Sequence, residues 1–163
     1  MRTKEIKILV SEYKNSEELI TTDRELVLAA RKMAESAYAP YSRFRVGAAL
    51  RLADGMVVCG SNQENAATPA GICAERSALF WANANYPEIP VICIAITALD
   101  QSGKHALNLS PCGICRQALL ECQYRYAQPI RVILESRDKI EILDTVDYLL
   151  PLSFNGNSLN AGK

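Results

Sequence analysis

The sequence predicts an α/β fold, a three-layer α-β-α sandwich around a mixed sheet of about five strands. Three observations carry that prediction. Segments of helical period and segments of strand period alternate along the chain. The run Val91-Ile92-Cys93-Ile94-Ala95-Ile96 is apolar on both alternating faces, as a strand covered by helices on each side must be. The strand, helix, strand succession from Val91 to Glu135 is a crossover unit, and such units pair their strands in parallel with a right-handed connection.

In chain order, Ile6-Lys7-Ile8-Leu9-Val10 alternates and reads as an edge strand, and Thr21-Thr22-Asp23 reads as a helix cap. From Leu26 the apolar residues Leu26, Ala29, Ala30, Met33 and Ala37 recur at helical steps, giving one buried face of a helix that ends before Pro40. Phe44 to Leu52 and Met56 to Cys59 flank the turn signal Ala53-Asp54-Gly55, which predicts a hairpin. A polar, irregular segment from Asn62 to Gly71 then opens onto an alanine-rich helix from Cys73 to about Ala84. Ser110 is placed to cap the next helix, with Pro111 at its first position, where a missing N–H costs nothing. That helix runs to about Tyr126. Ile130 to Glu135 and Lys139 to Leu143 read as strands around the turn Ser136-Arg137-Asp138, and a short helix near Val146 to Leu150 stops at Pro151. Residues 1–163 are expected to form one domain, with 1–22 an N-terminal extension and 155–163 a frayed tail.

The composition narrows the function classes. Of 163 residues 49% are hydrophobic and 22% charged, as in an average soluble protein. Eighteen basic residues balance eighteen acidic ones, so the basic excess that grips a phosphate backbone is missing and polymeric nucleic acid is a poor partner. No apolar run approaches the length of a membrane span or a signal peptide, which points to the cytoplasm and to no membrane. In that reducing compartment the six cysteines are read as metal ligands, nucleophiles or small hydrophobes before disulfides.

Spacing separates them. Cys73-Ala74-Glu75-Arg76 and Pro111-Cys112-Gly113-Ile114-Cys115-Arg116-Gln117 each begin a predicted helix, where free N–H groups and the helix dipole favour thiolate. Cys112 and Cys115 are three apart and share a face, so both sulfurs reach one ion, and Cys73 supplies a third if the helix ends converge. Three protein ligands are the count of a catalytic zinc, which keeps a position for water; structural zinc sites are closed by four. Three thiolates around Zn²⁺ leave a formal charge of about −1, which opposes acidification of that water. Arg76 and the two helix N-termini are the groups placed to offset it. Glu75, in the same first turn, is the candidate proton carrier. Two other readings remain open: a Cys112/Cys115 redox dithiol, and a structural zinc closed by a fourth ligand, although the sole histidine, His105, falls in a polar loop and reads as solvated. Cys59, Cys93 and Cys122 lack motif partners and read as buried small hydrophobes.

Taken together, these motifs resemble the zinc-dependent cytidine deaminases, in particular their small type with three cysteine ligands. The resemblance runs from about Asp23 to Phe154. It is carried by Ala37 to Phe44 with Val46-Gly47-Ala48-Ala49-Leu50, by Asn62-Gln63-Glu64-Asn65-Ala66, by the two cysteine motifs, and by Leu149-Leu150-Pro151 with Phe154. It implies a cytidine deaminase-like fold and one Zn²⁺ per subunit held by Cys73, Cys112 and Cys115. It also implies hydrolytic deamination of cytidine and deoxycytidine to uridine and deoxyuridine plus ammonia, in pyrimidine salvage. A zinc-bound hydroxide would attack C4 while Glu75 shuttles protons to N3 and the leaving amine. The resemblance further implies that Asn62, Glu64, Ala66, Ala74 and Phe44 bind a free pyrimidine nucleoside, and that Phe154 reaches the site of a neighbouring subunit within a homotetramer whose active sites are shared. Thr68 stands where several members have an aromatic, and the resemblance assigns residues 1–22 no chemistry.

Overall fold

The computed structural model describes residues 1–156 and 159. Six strands form one sheet: β1 (Ser11–Tyr13), β2 (Arg45–Leu52), β3 (Val57–Ser61), β4 (Val91–Leu99), β5 (Arg131–Glu135) and β6 (Ile140–Leu143). Their order is β1-β6-β5-β4-β2-β3, and every neighbouring pair is antiparallel except β4 and β5. The parallel pair is the one that the crossover pattern requires. Its connection carries helix α3 (Gly113–Tyr126), while α1 (Thr21–Glu35) precedes β2 and α2 (Ala74–Asn85) joins β3 to β4.

Alternation along the central strands divides the core in two. On one face Leu26, Val27 and Ala30 of α1 pack on Ala49, Ala95 and Ile133. On the other, Ala78 and Leu79 of α2 and Leu119 and Leu120 of α3 pack on Leu50, Ile94, Ile96 and Val132. The three layers follow directly, with α1 alone on one side and α2 and α3 together on the other. Two glycines set how closely the helices lie. A Cβ on Gly47 would stand 2.1 Å from the Ala30 carbonyl oxygen, and one on Gly60 would stand 2.5 Å from the Ala78 nitrogen, so each strand accepts its helix only without a side chain.

The sheet thus has six strands where about five were expected. The extra edge is β1, and it forms at Ser11–Tyr13 and not in the alternating stretch Ile6 to Val10, which carries no strand and is exposed. The partner decides this: β6 is four residues long, and three of them take Ser11, Glu12 and Tyr13 in antiparallel register. Lys139 Nζ holds the Glu12 carboxylate at 3.2 Å and fixes that edge. The expected short helix after β6 is a 3-10 turn at Val146–Leu149. Of the expected frayed tail, Asn155, Gly156 and Leu159 are described, the last two helical; the remainder lies outside the described residues. No helix among the described residues is long and apolar enough to cross a membrane.

Two cysteine and histidine expectations need correction. Cys93 and Cys122 are buried, but Cys59 is exposed, because it occupies an outward position of the edge strand β3. His105 is only partly exposed: its Nδ1 lies 3.1 Å from Thr97 Oγ1 and 3.7 Å from the Glu135 carboxylate.

Candidate metal centre

Helices α2 and α3 start side by side on one face of the sheet, and each starts at a cysteine. Cys73 and Cys112 are the N-cap residues, both in extended backbone (φ −74, ψ 155 and φ −66, ψ 163), and neither helix has a side-chain cap. The expectation that Ser110 would cap α3 fails for a visible reason. Its hydroxyl accepts from Arg116 Nη2 at 2.6 Å, while Arg116 Nε donates to the Pro111 carbonyl at 2.8 Å and Nη1 to that of Leu149 at 3.1 Å. This guanidinium clamps the turn before the helix and leaves the cap position to Cys112. Uncapped first turns leave N–H groups without side-chain acceptors, and the helix dipoles favour negative charge near both N-termini.

Cys115 completes the cluster from the first turn of α3. The sulfurs of Cys73 and Cys112 are 3.8 Å apart and those of Cys112 and Cys115 are 3.5 Å apart, and all three lie within 4.8 Å of one another. Three thiols this close cannot all ionise unaided. The hydrogen bond with Cys115, helped by the Arg76 guanidinium and Cys112, pulls the Cys73 thiol down to about 5. The same hydrogen bond, followed by burial and the Glu75 charge, pushes Cys115 up. One negative charge is welcome and further ones are opposed until a cation joins them.

Glu75, at the second position of α2, is 4% exposed. Burial raises its carboxyl above the ordinary range, with the Cys73 charge adding to the effect and the Cys115 thiol bonding to it. Its Oε2 and the Arg76 Nε are buried with no hydrogen-bond partner among the described residues. A soft donor set of three sulfurs with an orphaned carboxylate oxygen beside it fits a thiophilic dication and a water on that cation.

A cleft of about 490 Å³ opens over Cys73 and Arg76. Asn62, Glu64 and Ala66 line it, as does Thr68, the position where several family members have an aromatic, together with Tyr41, Gln63 and Ile72, which sequence reasoning did not single out as site residues. Their signal was available only as the neighbouring letters of the Tyr41 and Asn62 motifs. The other expected contacts lie elsewhere in the single chain. Ala74 is fully buried against Gly60, Phe44 sits outside the lining, and Phe154 is 60% exposed with its carbonyl accepting from Gln117 Nε2 at 3.0 Å. Asn62 already spends its amide on the chain: Oδ1 accepts from Val46 N–H at 2.7 Å and Nδ2 donates to the Phe44 carbonyl at 2.9 Å. Among the described residues, no fourth histidine, cysteine or carboxylate closes the thiol cluster.

Three thiol donors at the edge of the cleft, with no fourth protein donor among the described residues, match the class of catalytic zinc sites, whereas structural zinc is closed by four. Comparison with known proteins gives the family. The family model of the cytidine and deoxycytidylate deaminase zinc-binding region matches residues 20–128, and the chain belongs to that family. A cytidine deaminase of Halalkalibacterium halodurans is 39% identical over 139 residues, 85% of this chain and 98% of its own length. One from Sporosarcina psychrophila is 41% identical over 137 residues, 83% of this chain and 93% of its own. The crystal structure of cytidine deaminase from Burkholderia pseudomallei is 37% identical, covers 80% of this chain and 97% of its own, and superposes with a TM-score of 0.67. The protein is a zinc-dependent deaminase with one zinc per subunit. Strand β1 and the turn after it precede the matched region.

Proposed function

We propose that the chain converts free cytidine and deoxycytidine to uridine and deoxyuridine with release of ammonia, in pyrimidine salvage in the cytoplasm, with residues 1–163 acting as one catalytic domain. Cys73, Cys112 and Cys115 would hold the zinc. When bound, zinc lowers the pKa of a water from about 15.7 to about 7 and so makes a nucleophile for C4 of the cytosine ring available at neutral pH. Glu75 would take the proton of that water and pass it to N3, then take the proton of the new C4 hydroxyl and pass it to the amine as the C4–N bond breaks. The observation that carries the reading is the Glu75 carboxylate: buried, raised above the ordinary carboxyl range by burial, and holding an unpartnered oxygen beside three thiols. Arg76, against Cys73 and Cys115, offsets the excess negative charge of the sulfurs. Asn62, Glu64 and Ala66 face the sugar from the cleft wall, and the balanced net charge agrees with a small nucleoside in place of a polynucleotide.

The same reading includes a homotetramer. Between α2 and α3 a second groove of about 630 Å³, lined by Phe80, Ile114, Ala118 and Cys122, meets the first at Arg76. Phe80, Trp81 and Ile114 are about half exposed or more, a patch of the kind that subunit contact buries. Within such an assembly Phe44 and Ala74 border the base, and Phe154 reaches the neighbour's cleft. A monomer in light scattering at micromolar concentration would refute the assembly.

The test of the reaction is conversion of cytidine to uridine by zinc-replete protein, with Glu75→Ala as the matched control. The control should keep its zinc and lose about 100-fold to 10,000-fold in turnover. Undiminished turnover by Glu75→Ala would refute the proton carrier; a folded, zinc-loaded wild type without turnover would refute the substrate.

A further inference from the structure

Tyr41 brings to the cleft a turn, residues 39–44, that its own internal hydrogen bonds hold only in part. Arg43 in it has φ +54, in the left-handed region that glycine enters readily and residues with side chains avoid. Its N–H closes the turn on the Ala39 carbonyl at 3.0 Å. The N–H groups of Tyr41 and Ser42 meet at one point, Glu64 Oε2, at 2.9 and 3.2 Å, and among the described residues no other group accepts them. The far end is pinned separately, through the Asn62 amide on the Phe44 carbonyl and the Ser42 hydroxyl on the Phe44 N–H.

Glu64 is itself well anchored. Its N–H donates to the Tyr38 carbonyl at 2.9 Å, and Gln63 beside it exchanges backbone hydrogen bonds with Ile72 at 2.9 Å in each direction. A fixed backbone therefore carries the carboxylate across to a turn 22 and 23 residues earlier in the chain. We propose that Glu64 is a positioning residue: its carboxylate holds the strained 39–44 turn and so presents the Tyr41 ring as a wall of the cleft. Tyr41 lines the cleft and is 62% exposed, so the ring has little else to fix it. The contact of that wall with a nucleoside rests on the function proposed above; the hold on the turn does not. The assignment also gives the Arg43 conformation a cause. Bonds from two N–H groups to one carboxylate are charge-assisted and strong enough to keep a residue where it would not stay alone.

Amide hydrogen exchange on the ligand-free, zinc-loaded full chain separates this role from plain sugar binding. In Glu64→Ala the Tyr41 and Ser42 amides should exchange about tenfold faster or more, and in Glu64→Gln by a smaller factor, because the amide keeps an acceptor but loses the charge. Adding Arg43→Gly to Glu64→Ala should leave those two amides without an acceptor but restore protection of the residue-43 amide, which bonds the Ala39 carbonyl at 3.0 Å, since glycine occupies φ +54 without strain. With cytidine, Glu64→Ala should raise KM about tenfold with a smaller change in kcat, and Arg43→Gly should recover part of the KM. Unchanged exchange at Tyr41 and Ser42 in Glu64→Ala would overturn the proposal, as would a raised KM indifferent to Arg43→Gly. Should the wild type turn over no cytidine, the proposed substrate fails and the exchange measurement still decides the role of Glu64.

Discussion

Gly60→Ala tests how the metal centre depends on packing one layer below it. Gly60 lies on β3 under the start of α2, and its added methyl would stand 2.5 Å from the Ala78 nitrogen, 2.8 Å from the Ala74 carbonyl oxygen and 3.0 Å from the Ala78 methyl. Ordinary contact begins at 3.4 Å, so α2 must retreat by about 0.9 Å at Ala78, and backbone atoms offer no rotamer by which to escape. Overpacking of this kind costs about 1–3 kcal/mol, and two backbone collisions put this case near 3. Unfolding entropy of about 2.1 cal/mol/K per residue over 163 residues makes that a fall in Tm of about 9 °C. Ala74 is the first residue of the helix, between Cys73 and Glu75, so the displacement reaches both and should weaken zinc binding about 10-fold to 100-fold. Calorimetry and competition with a chelator measure the two effects. Gly113→Ala is the matched control, since its methyl meets nothing within 4 Å. A Gly60→Ala protein with the Tm and zinc affinity of the wild type would refute the reasoning.

Other perturbations follow from the same contacts. Cys112→Ala removes one of three clustered thiols and should lose zinc by metal analysis, with a lower Tm because binding and folding are coupled; full zinc occupancy would contradict the assigned donor set. Arg31 Nε lies 3.0 Å from both oxygens of Glu135, a carboxylate 3% exposed; Arg31→Ala should therefore cost about 2 kcal/mol, discounted because the arginine is 35% exposed. Glu135→Gln in that background should recover part of the loss in urea unfolding. Burial pushes the Cys93 thiol from 9.0 up to about 12, so its contribution is intact below about pH 9 and declines as pH rises toward 12, because the unfolded chain ionises first. Between pH 8 and 10.5 the wild type should lose about 2 kcal/mol more than Cys93→Ala; equal losses would show that this thiol titrates alike in both states.

The site departs from its sequence pattern where a residue does two jobs. Asn62 and Glu64 stand in a motif that suggests ligand contact, and each is already bonded to the strand entry or to the turn that shapes the cleft. Arg116 adds to the picture as a residue whose Nε and Nη1 hold the backbone carbonyls of Pro111 and Leu149 while Nη2 holds the Ser110 hydroxyl. The approach to Cys112 is thus set by a side chain outside the thiol cluster.

Local signals were enough for much of the molecule. Hydrophobic period distinguished helices from strands, the apolar run at Val91 marked the central strand, and the crossover from Val91 to Glu135 required the parallel pair that β4 and β5 form. Cys73, Glu75, Cys112 and Cys115 could be singled out together because a helix start and a three-residue spacing are properties of short segments. Tertiary structure alone decided where the edge strand forms, that Arg116 takes the Ser110 hydroxyl away from its helix, that Cys59 faces outward, and that Glu64 carries the Tyr41 turn. Each of these turns on a partner remote in the chain, as Arg31 and Glu135 are by 104 residues, and a one-dimensional pattern holds no record of which distant group will arrive to compete for a hydrogen bond.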